Sequence, residues 1–72
     1  MHKRYFEFVS GNSAKFWELG ISGTEVTVRF GRIGTDGQTQ VKSFPDSAAA
    51  NRHAEKLVTA KIGKGYVEAV AR

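Results

Sequence analysis

The sequence predicts an α+β domain: an antiparallel β-sheet of four to five strands with one long helix packed on one face. Three observations carry the prediction. Aromatic and β-branched residues cluster in four segments before Phe44-Pro45, each bounded by Gly, Ser or Asn. Beyond Pro45 the apolar period lengthens from two to that of a helix. The links between the strand segments are short, which pairs consecutive strands as a meander and leaves the helix to cover one face.

Taken in order, the first strand is KRYFEFV (3–9), which ends at the turn residues SGNS. The second, AKFWELGI (14–21), breaks at Ser22-Gly23. In TEVTVRF (24–30), Val26, Val28 and Phe30 fall on one face, with Glu25, Thr27 and Arg29 on the other. QTQVKSF (38–44) has few apolar residues, which suits a sheet edge or a polar outer face. Asp46 or Ser47 caps a helix that runs to about Ile62, by accepting from backbone N–H groups that have no partner in the helix. Ala50, Ala54, Leu57, Val58 and Lys61 mark its inner stripe, and the small residues in it let the helix sit close to a sheet. Gly63 is the expected C′ residue, and GYVEAV (65–70) returns as a short last strand. The Trp17/Leu19/Ile21 and Val26/Val28 rows supply most of the expected core.

Seventy-two residues make a single domain, 1–72, near the lower limit for folding on one core. The chain has no cysteine, so neither a disulfide framework nor a thiolate metal site supports the fold. His2 and His53 are too far apart in sequence to suggest a metal pair, and no metal or cofactor is expected. No apolar run is long enough to span a bilayer, and MHKRYFEF is not a signal peptide. With its initiating Met, the chain reads as a complete or nearly complete cytoplasmic protein. Two histidines and seven scattered acids form no catalytic constellation, so enzyme activity is not expected. The net charge of +4 and pI near 9.8 favour polyanionic partners, although solubility alone can account for a charge of this size.

The end of the third strand carries the most distinctive chemistry. RFGRIGTDG (29–37) places an aromatic ring, a glycine and an arginine in succession before a turn. Unbroken alternation points the Phe30 ring inward, whereas a bulge or added twist at Gly31 would re-aim the side chains beyond it. Arg32 can fork onto a phosphate, or pair with Glu18 or Glu25. Gly34-Thr35-Asp36-Gly37 reads as a hairpin turn, since Asp-Gly favours the primed types. In KIGKGY (61–66), Lys64, Tyr66 and exposed N–H groups can meet a backbone phosphate, and the competing reading is a plain helix C-cap. Lys61 packs its stem and sends its ammonium outward. Trp17 reads as core. Lys15, Arg29 and Lys42 could form a basic strip on the strands, extended by Lys3 and Arg4. Arg52 and His53 are expected to face water.

The chain resembles the WGR domain family over nearly its whole length. The matching blocks are KFWEL (15–19), TVRFGRIGTDGQ (27–38), SFPDS (43–47) and KIGKGY (61–66). Phe30 stands where the family's signature has Trp. The ring keeps its π-face but loses the indole N–H, which puts its stacking on a base toward the low end of about 1–3 kcal/mol. WGR domains sit beside poly(ADP-ribose) polymerase catalytic domains, where they help recognise DNA ends and strand breaks, and they also occur in bacterial proteins. The resemblance implies a DNA-repair-related module that binds DNA ends, nicks or distorted sites without reading sequence. The resemblance implies contacts by Phe30 and Arg32, and the residue reading adds Gly31, Lys42, Lys64 and Tyr66 as candidate contacts. The alternative is a protein-interaction module, monomeric or weakly dimeric, that docks on an acidic partner or on itself.

Overall fold

The computed structural model describes residues 2–69, so the last residue of the expected 65–70 strand lies outside the described residues. Five strands and one helix follow in the order β1 (His2–Ser10), β2 (Ser13–Ser22), β3 (Glu25–Arg32), β4 (Gln38–Ser43), α1 (Ser47–Gly63) and β5 (Val67–Ala69). The first four strands form the predicted meander. The sheet order is β4-β3-β2-β1-β5, with every pairing antiparallel and β4 at one edge. The helix has 17 residues and is about 25 Å long. That length carries the chain from the β4 edge back to the far side, where β5 pairs with β1.

Register assigns each side chain to a face. Trp17 lies opposite both Phe6 and Phe30, and Leu19 lies opposite Val28. These rows face the helix, and the core is built from Phe6, Trp17, Leu19, Val26, Ala50, Ala54 and Val58. Phe6, which no pattern in the sequence singles out, is fully buried, with its ring 5.6 Å from that of Trp17. Ile21 and Val28 are half-buried at the margin. The helix begins as expected, with the Asp46 carboxylate accepting from the Ala49 N–H at 2.8 Å. Its end differs. Gly63 is still helical and Lys64 is the cap, so the glycine with positive φ (107°) is Gly65.

The other face of the sheet has no helix over it, yet it buries Phe16. Tyr5 stacks on that ring at 6.0 Å, and the Arg29 guanidinium lies 4.7 Å from its centroid. Arg29 is held there by Glu18 at 3.2 Å and by the Asp36 carbonyl at 2.9 Å. The segment 33–37 is therefore not the tight Asp-Gly hairpin expected from the sequence. Its turn is closed earlier, by the Thr35 N–H and hydroxyl on the Arg32 carbonyl, and the chain then folds back over Phe16.

This return explains Gly31. No bulge forms, because Gly31 stays in register opposite Phe16. Its missing side chain makes room instead: a Cβ there would come 2.8 Å from the Gly37 Cα. Gly37 has φ +70°, and a Cβ on it would overlap the Phe30 carbonyl oxygen and come 2.8 Å from Phe16 Cζ. Gly37→Ala is expected to destabilise the domain by about 2 kcal/mol, because both the left-handed backbone and the close approach resist a side chain. Urea unfolding of the variant checks this.

Candidate nucleic-acid interface

Alternation along β3 sends Phe30 and Arg32 to the helix side, and Lys15 pairs opposite Arg32 across the strand boundary. Phe30 is half-buried and packs against the core rather than standing free. One side of its ring lines a hollow at the end of the sheet that it shares with Gly31, Arg32, Lys15, Lys61 and Tyr66. Arg32 is exposed, and its guanidinium has no ion pair or hydrogen bond among the described residues. Neither candidate carboxylate holds it: Glu18 is taken by Arg29, and Glu25 accepts from the Ser43 hydroxyl at 3.5 Å.

Lys61 carries more of the site than its place in the sequence suggests. The helix brings its ammonium to 5.7 Å from the Trp17 ring centroid and 5.3 Å from that of Tyr66. Burial pushes its pKa below the ordinary lysine value, and repulsion from Lys64 and Lys15 adds to the shift. That repulsion reports how closely the cations gather. The available signal was a lysine on the apolar stripe of the helix, near the end where a strand cation is brought in by register.

Tyr66 joins this group, with its ring 5.4 Å from Phe8, and Lys64 lines the adjoining hollow with Tyr66, Lys15 and Lys61. The backbone of this loop is occupied, contrary to the expectation of exposed N–H groups. Those of Lys64, Gly65 and Tyr66 all donate to carbonyls of the last helical turn. Any anion held here meets side chains. Lys42 lies elsewhere, on the helix side of β4 opposite Val26, with its ammonium 5.7 Å from the Phe44 ring.

The expected basic strip does not form. Arg29 is on the open side of the sheet, away from Lys15 and Lys42, and Arg4 is held by Glu68 at 2.7 Å. That pair holds the Glu68 carboxyl below its ordinary range, through the hydrogen bond from Arg4. Lys3 lines a depression on the open side. His53 is half-buried with its ring 4.8 Å from Phe44, so it does not simply face water. The strand charges are unevenly divided between faces: Arg4, Lys15, Arg32 and Lys42 project on the helix side with Glu68, and Glu7, Glu18 and Glu25 on the other with Lys3 and Arg29.

A helix over one face of a five-stranded antiparallel sheet, with a cationic, ring-bearing hollow at the end of β3, defines a small α+β binding domain. The chain belongs to the WGR family, whose domain model matches residues 2–72. That family is associated with nucleic-acid binding. Among curated proteins the chain is 43% identical over 65 residues to Protein YehF of Escherichia coli strain K12, covering 90% of this chain and 24% of that protein. It is 35% identical over 66 residues to the uncharacterized protein YfeS of the same strain, covering 92% of this chain and 27% of that one. A crystal structure of a Bacteroides fragilis protein, solved as a structural genomics target, superposes with a TM-score of 0.94 at 48% identity. It matches 96% of this chain and 20% of its own. The chain thus spans about a quarter of the curated relatives it matches. No helix among the described residues is long and apolar enough to cross a membrane.

Proposed function

We propose that this domain binds DNA without reading its sequence, engaging ends, nicks or distorted sites at the end of β3. The observation that carries the reading is Arg32. A guanidinium with no partner among the described residues, flanked by Lys15 and Lys61 and set beside a half-buried aromatic ring, is suited to a phosphate and the sugar or base next to it. Arg32, Lys15, Lys61 and Lys64 anchor phosphates, and Phe30 covers the adjacent nucleotide edge, with Tyr66 beside it. Gly31 acts through the loop it admits. No bond is made or broken, and the domain acts as a binding module with no cofactor.

A fluorescence-anisotropy titration against matched intact, nicked and blunt-ended duplexes at several salt concentrations tests the proposal. The expected result is tighter binding to nicked and blunt-ended DNA than to intact duplex. Three or four phosphate contacts give a log–log salt slope of about −3. Equal, feeble binding to all three overturns the proposal. It would favour a protein-interaction module, a reading supported by β4, whose six residues are all exposed and whose outer edge pairs with no other described strand.

Protonation gives a further check on the site. A phosphate beside Lys61 reverses the shift that burial and its neighbours impose, so binding takes up protons. Lys61 therefore releases its proton more easily in the free domain than in the complex. Affinity is expected to fall as pH rises from neutrality toward the ordinary lysine value of 10.5. Lys61→Arg, which keeps its charge throughout, is expected to flatten that dependence.

A further inference from the structure

A cleft of about 410 Å³ runs between the helix and the β3–β4 margin. Its origin lies in the helix stripe. Ala50, Ala54 and Val58 draw the helix down onto β2 and β3, and Gln40 and Lys42 on β4 stay exposed. Trp17, Val28, Phe30 and Leu57 give the cleft apolar walls. Its polar groups are Gln40, Lys42, His53 and Lys61, and no carboxylate among the described residues lines it.

We propose that this cleft receives an unpaired nucleobase at a DNA end, a deepening that rests on the DNA-binding reading above. Three features point to that occupant. The volume falls within the range of about 300–1,000 Å³ usual for small-ligand sites. Apolar and aromatic walls with an amide and a few cationic groups match a flat base flanked by phosphates, whereas an uncharged apolar ligand would leave both lysines without a role. The cleft also adjoins the hollow at Arg32, because Trp17, Phe30 and Lys61 line both. A strand end whose phosphates rest on Arg32 and Lys15 is led past Phe30 into it, and Lys42 meets the charge at the β4 wall.

The test compares duplexes that are blunt, that carry one unpaired nucleotide, or that carry one abasic overhang with the same added phosphate. The unpaired nucleotide is expected to improve affinity about tenfold over both the blunt and the abasic ends. Gln40→Trp, at an exposed position on the edge strand, is expected to fill the cleft and abolish that preference while blunt-end binding stays within about twofold. Thr39→Trp, on the other face of β4, should preserve the preference. Equal affinity for base-bearing and abasic overhangs, with blunt-end binding intact, overturns this inference and leaves the DNA-binding reading standing. A preference that survives Gln40→Trp overturns it too. Failure to bind any of the three ends overturns both.

Discussion

Phe6→Ala is expected to remove about 3–5 kcal/mol of stability. The ring has no exposure, sits on β1 between β2 and β5, and lies 5.6 Å from the Trp17 ring and 5.4 Å from the Arg4 guanidinium. A domain of this length has only about 4–11 kcal/mol in total, so a large unfolded population should appear in urea titrations at room temperature. Phe30→Ala offers the informative contrast. Its ring is half-buried and partly faces the hollow, so the expected cost is about 1–2 kcal/mol and the variant remains folded. If Phe30→Ala unfolds as readily as Phe6→Ala, the ring is a core element and the proposed interface loses its stacking group.

Arg32→Ala is expected to weaken binding to blunt or nicked DNA about tenfold or more, because charge-assisted bonds to a phosphate are worth about 1.5–3 kcal/mol. The salt slope should become shallower by about 1. Thermal stability should be unchanged, since the guanidinium holds nothing else among the described residues. Arg29→Ala should behave in the opposite way. It loses the Glu18 ion pair, the bond to the Asp36 carbonyl and the cover over Phe16, so stability falls while the salt slope persists. Two arginines three positions apart on one strand are thus separable by experiment.

Strict alternation in TEVTVRF and the shared face of Trp17, Leu19 and Ile21 made most of the core legible in the sequence. The helix start was legible too, because an Asp-Ser pair after proline has a local chemical meaning. What escaped was non-local. KFWE gives no reason for two adjacent aromatic rings to be buried on opposite faces, because Phe16 is covered by Tyr5, Arg29 and a returning loop. Gly31 suggested a bulge, yet its role depends on Gly37 six positions later. The basic strip failed for a similar reason, since Arg29 and Lys15 are assigned to faces by register, which charge alone does not reveal. Lys61 became significant only once the helix had placed it among Lys15, Lys64 and two rings.

The division of strand charges between the two faces has an electrical consequence. With Arg4, Lys15, Arg32 and Lys42 outweighing Glu68 on the helix side, and Glu7, Glu18 and Glu25 outweighing Lys3 and Arg29 on the other, the strand charges set up a dipole running through the sheet. Near a polyanion it feels a torque as well as a pull, so collisions are biased toward the productive orientation before any contact forms. Dissolved ions damp that torque over about 8–10 Å, which makes the association rate, rather than the lifetime of the complex, the quantity most exposed to ionic strength.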